Sequence, residues 1–161
     1  MSEQWFLKID GIKGDSLVKL HKDEIDVLSW SWGVSNNADG GQGGGGSGAG
    51  KPTFQDFAFV TAIGTASPAL FYACAAGKHS AKAELVGVRG AAAGKAIEFL
   101  RYRLQDVVVT SVQHAGGTEA PALDQFTLRA TKVEMSYTPQ SPTGQAGKPI
   151  ITWFDLETMK A

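Results

Sequence analysis

A single cysteine, Cys74, among 161 residues leaves no internal disulfide available, so packing alone must hold the fold, as suits a protein made in a reducing cytoplasm. Charge is scarce too. Asp and Glu number 16 against 15 Lys and Arg, for a net charge of -1, and charged residues reach only 19% of the chain. That is below the usual quarter or so. No basic stripe is visible, which excludes nucleic acid as a partner, and the low charge leaves surface for protein partners to cover. Apolar runs of the ~20 residues needed for a membrane span are missing, so no membrane insertion is expected. Met1–Trp5 has no basic n-region and no apolar h-region follows, so export would have to proceed without a cleaved signal peptide. His21, His79 and His114 form no HxxxH pattern, no CxxC is present, and neither a metal nor a cofactor is expected.

What the chain has in excess is glycine, 20 in all, and eight of the eleven residues from Gly40 to Gly50 are glycine. Gly45–Lys51 fits the start of a phosphate-binding loop, but Pro52 stands where a Ser or Thr must hold magnesium, and strand residues follow in place of a helix. Gly41, Gly43 and Gly46 match a dinucleotide fingerprint only as any glycine run does. Ser47 lacks the strained strand-to-helix turn of a nucleophile elbow. So much glycine is costly to order, and the expected role is a protrusion that folds against a neighbouring subunit.

The flanking segments read as strands. From Glu24 to Ser35 the alternation puts Leu28, Trp30, Trp32 and Val34 on one face, as core, and Ser29 and Ser31 on the other, as a small polar wall. Further strands are expected at Trp5–Ile9, Phe54–Val60 with both faces buried, Ala81–Val88, Ala96–Leu104 running on to Val112, Gln125–Tyr137 and Ile150–Leu156. The apolar positions in Gln125–Tyr137 change parity, which predicts a bulge near Thr131–Lys132. Ser67 as N-cap, Pro68 in the first turn and Gly77 as stop predict one short helix at about 68–76. It places Cys74 on a packed stripe with Leu70 and Ala73, late in the helix where the dipole disfavours a thiolate. The fold class is mainly β: a barrel built from two packed sheets with one short α-helix and a long Gly-rich loop at 36–51, in one domain spanning 1–161.

Several segments in order, Phe6–Ser16, His21, Glu24–Ser35, the glycine loop ending at Gly50–Lys51, Ala73–His79 and Val133–Gln140, resemble the haemolysin-coregulated protein family of the bacterial type VI secretion system. The resemblance covers nearly the whole chain. It implies a non-enzymatic tube subunit that forms hexameric rings, stacked into a hollow tube capped by a spike protein, surrounded by a contractile sheath and carrying small effectors. It also implies that the tube is assembled in the cytoplasm and then ejected. On this reading Ser29 and Ser31 face the lumen, while Asn36, Asn37, Asp39, Gly40, Gly46, Ser47 and Lys51 belong to a loop that reaches the next ring. A phage-like contractile-tail tube protein fits nearly as well. A monomeric carbohydrate-binding β-sandwich is the alternative of another class, with Trp5, Trp30, Trp32 and Trp153 exposed in a cleft where the tube reading packs them in the core.

Overall fold

Alternating apolar residues in β1 (Glu3–Ile9) turn Leu7 and Ile9 into the core. In the computed structural model, which describes residues 2–37, 50–90 and 96–161, this strand pairs on one side with β2 (Ile25–Ser31) and on the other with β6 (His79–Gly90). β6 pairs with β7 (Ala96–Ala115), β7 with β8 (Leu123–Tyr137), β8 with β5 (Phe57–Ala62), and β5 with β2. The circuit β5-β2-β1-β6-β7-β8 therefore closes, antiparallel throughout, and the two faces packed over the core are halves of one sheet. Closure leaves these six strands without a free edge.

Two elements project from the barrel. β8 outruns β5: Leu123–Leu128 pairs with β5, whereas Lys132–Tyr137 pairs with β9 (Ile150–Asp155). Past the end of β2, β3 (Val34–Asn36) and β4 (Pro52–Phe54) form a separate two-stranded sheet, the stem of the glycine loop.

Phe57, Phe59, Phe126, Leu7, Leu85, Leu104 and Leu128 fill the barrel, each worth about 1.5–3 kcal/mol when fully buried. A second, smaller cluster lies outside it. Phe6 turns outward from β1 beside Val86 and Val88, and the 3-10 turn at Lys19–His21 covers it, with the His21 ring stacked on Phe6 at 4.4 Å.

The helix α1 (Ser67–Ala76) lies against β7, burying Leu70 and Ala73, and stops at Gly77, whose φ of 63° lets its N–H reach back to the Ala73 and Cys74 carbonyls. Ser67 is not its N-cap. It is the first helical residue, and its hydroxyl donates to Asp124 at 2.5 Å while accepting from the Gly64 N–H at 2.9 Å. A buried carboxylate takes the hydroxyl away from the helix end because charge-assisted bonds are the stronger ones.

The strand faces depart from simple alternation in three places. The register of β2 on β5 slips between Val27↔Thr61 and Ser29↔Val60, so Leu28 is an extra residue in a bulge. Ile25 and Val27 point inward before it and Trp30 after it; Leu28, expected in the core, is 62% exposed, and Val34 is exposed on β3. In β8 the parity change appears where expected, from Ala130 to Val133, yet the register with β7 is unchanged from Lys132↔Gln105 to Val107↔Ala130. The shift falls where Asp106 on β7 has φ 49° and its ladder pair with Thr131 is missing, and with the same register on either side it involves no inserted residue. Met135 and Tyr137 are exposed because β8 has left the barrel for β9 there. Phe54 and Phe57, expected in one strand, lie in two, with Gln55 and Asp56 between them in neither. Ala58 and Val60 are half-buried on an open outer face.

Candidate functional site

Register turns scattered small residues into a surface. On the outer side of β2, β5, β8 and β7, Ser29 pairs with Val60, Val60 with Gln125, and Gln125 with Gln113. The adjacent row runs Ser31, Ala58, Thr127, Ser111. These two rows carry no charged side chain, and they line a shallow groove of about 430 Å³ together with the edges of the residues behind them. Ser111 and Thr127 hydroxyls lie 2.5 Å apart, and Thr110, bulged out of β7, bonds Thr127 at 2.6 Å and Asp56 at 2.8 Å. Arg129 closes the border by donating to Asp56 at 3.1 Å. Phe59, Phe126 and Trp30, in register on the opposite side, fix the wall to the core. Ser29 and Ser31 thus sit where their parity puts them. The partners on β7 and β8 escaped the sequence reading: the alternations Ser111/Gln113 and Gln125/Thr127 are visible, but only register shows that they meet the serines.

The glycine-loop stem is closed by Asn36, whose Nδ2 donates to the Gly50 carbonyl at 2.9 Å. Asn37 and Lys51 flank the stem and are exposed; Asp39, Gly40, Gly46 and Ser47 lie outside the described residues.

Trp30 and Trp32 pack against the core as expected. Trp30 contacts the rings of Trp5 and Tyr102, and Trp32 stacks on Phe57 at 4.8 Å. Trp153 does not. It is 42% exposed on β9 with the Lys132 ammonium 4.3 Å from its ring, so no aromatic cleft gathers the four indoles. Cys74 is half-buried against the core.

The histidines pair with acids, none in a nucleophilic arrangement. His21 is buried, with Nδ1 3.0 Å from Glu24; Glu98 lies 3.0 Å from Nε2 but off the hydrogen-bond direction. Burial pushes the Glu24 carboxyl above its usual 4.5 even though His21 pulls it down. His79 meets Asp106 at 2.9 Å and His114 meets Asp124 at 2.5 Å. Asp124 joins Ser67 and His114 but stands between them, so the imidazole cannot take the serine proton directly. Bonds from the Thr65 hydroxyl and N–H hold Asp15 below its usual 3.8. Among the described residues no group of three or more His, Cys, Asp or Glu could hold a metal, and no helix is long and apolar enough to cross a membrane.

A closed six-stranded antiparallel barrel with a smooth uncharged face and a hairpin stem projecting from one end defines a structural, assembly-forming class of protein. Residues 6–137 match the family model described as "Type VI secretion system effector, Hcp". The chain is 40% identical over 152 residues to protein hcp1 of Pseudomonas aeruginosa, covering 93% of each. Its fold matches the crystal structure of Hcp1 from Salmonella typhimurium with a TM-score of 0.80 at 32% identity over 99% of both chains. A second structure, of a type six secretion system protein, gives 0.88 at 27% identity over 99% of both. The chain belongs to the Hcp family of the type VI secretion system, and it is a tube subunit of that machine.

Proposed function

We propose that this chain assembles into hexameric rings that stack into a hollow tube, with the face built on Ser29 and Ser31 turned to the lumen. The observation that carries the reading is the double row of uncharged residues across four strands, small except for Gln113 and Gln125. A passage for folded cargo needs a wall without strong charges to trap what passes. Large exposed apolar side chains elsewhere, among them Phe71, Tyr72, Ile150 and Ile151, supply surface that an isolated chain would leave wet and a ring would cover. Cyclic closure by identical heterologous contacts accommodates such unlike patches.

In this reading the loop carrying Asn36, Asn37, Asp39, Gly40, Gly46, Ser47 and Lys51 reaches the next ring. A spike protein caps the tube, sheath contraction drives it outward, and small effectors ride inside. The chain works as one domain without catalysis, is made in the cytoplasm and leaves through the apparatus. Native mass spectrometry of the purified protein tests the ring: hexamers that persist in reductant support it, and a monomer at every concentration overturns it.

A further inference from the structure

Among the described residues the most exposed large apolar side chains are Leu17 and Leu20, at 91% and 79%. They are not on a slack loop. The Ser16 N–H bonds the Glu24 carbonyl at 3.0 Å, the Asp23 N–H bonds the Ser16 carbonyl at 2.9 Å, and the His21 N–H returns to Val18 at 2.9 Å. Buried His21, stacked on Phe6, pins the tip to the barrel wall. A rigid tip that presents two leucines to water is already organised for a partner and has little ordering entropy left to lose on binding.

The complementary feature is a groove of about 520 Å³ at the branch where β8 passes from β5 to β9. Trp32, Phe54, Leu156 and Met159 give it apolar walls, and Asp56, Asp106 and Glu157 line it together with Arg129 and His79; Asp56 is paired with Arg129. Asp106 is paired with His79, whereas Glu157 has no ion pair among the described residues. Beside the leucines of the tip, Lys19 and Lys22 likewise have none among the described residues. Polarity therefore matches, leucines for the walls, and Glu157 is left for the ammonium group of Lys19 or Lys22.

Placement decides whose tip enters. The tip joins β1 to β2 at Ile25, while the groove opens past the other end of β2, beyond Ser31, roughly 20 Å away along a seven-residue strand. A chain cannot fill its own groove across that distance. We propose that a second copy of this chain, in the next ring, seats its Leu17–Leu20 tip in this groove, so that successive rings engage head to tail through a built apolar contact as well as the glycine loop. The contact rests on the tube reading above and gives it a direction: every ring offers tips at one end and grooves at the other.

Two variants test it. Leu17→Asp with Leu20→Asp is read by native mass spectrometry for rings and by electron microscopy for tubes; the expected result is intact hexamers with tube formation lost. Normal tubes from this variant overturn the proposal, and so does a folded monomer, which would move the tip into the contact within a ring. The second protein carries Leu20→Cys and Met159→Cys in a Cys74→Ala background and is oxidised after assembly. Disulfide-linked ladders that need both new cysteines support the contact, and tubes without cross-links overturn it. If the unaltered protein forms no rings, the tube reading fails first, a result the mass spectrum separates from loss of stacking alone.

Discussion

At the scale of single residues, Asp124 carries more of the fold than its place at a strand start suggests. It is 1% exposed, accepts from Ser67 and sits 2.5 Å from His114, tying α1, β7 and β8 together. Asp124→Ala strands the Ser67 hydroxyl and is expected to lower unfolding free energy by about 2–3 kcal/mol, the worth of a bond to a charged group. Urea denaturation followed by tryptophan fluorescence measures it, and a loss within experimental error would show that the clamp is idle. Glu24 acts in the opposite sense. Its folded carboxyl is raised by burial, so the native state holds more protons than the unfolded chain near and above 4.5, and its contribution to stability falls as pH rises through that range. Asp15 is lowered; its contribution is present above 3.8 and fades as pH drops through the lowered value. Glu24→Gln should therefore flatten the fall in stability on the neutral side of 4.5, while Asp15→Asn should flatten the acid limb. Melting temperatures recorded across that range distinguish the two, and identical profiles would contradict both assignments.

Among the elements, β2 shows where the sequence is legible and where it is not. The alternation of Trp30 and Trp32 against Ser29 and Ser31 survives folding because those four residues lie beyond the bulge. Leu28 sits in it, and nothing in an unbroken apolar-polar pattern marks an added residue. The helix was legible for a local reason: Pro68 and Gly77 act through their own backbone geometry. Ser67 was misassigned for a distant one, since Asp124, 57 positions away, claims its hydroxyl. The polar wall was half legible, its β2 part from parity and its β7 and β8 parts only from register. These differences set an expectation for mutants. Leu28→Ser should change stability by no more than about 0.5 kcal/mol, as an exposed site does. Trp32→Ala, stacked on Phe57 and Phe54, should cost about 3–5 kcal/mol. Equal losses in chemical denaturation would restore Leu28 to the core.

For the whole molecule, the barrel separates two kinds of outer surface. The row Lys8, Glu84, Arg103, Glu134 crosses β1, β6, β7 and β8 with charge alternating at every strand, and Arg103 donates to Glu134 at 2.8 Å. The two rows on β2, β5, β8 and β7 hold no charge at all. A tube subunit that keeps its charges off the passage and on another wall predicts what a bulky change does at Ser31. Its exposed side chain has room, so Ser31→Trp should leave stability within about 0.5 kcal/mol and leave the hexamer intact. In the ring, each subunit would then thrust an indole into the lumen. Electron microscopy should show a narrowed passage, and small proteins that co-purify with the unaltered ring should be lost from the variant. An unchanged lumen with the indoles on the outside would put the small face against the sheath, and a broken ring would put it between neighbouring subunits.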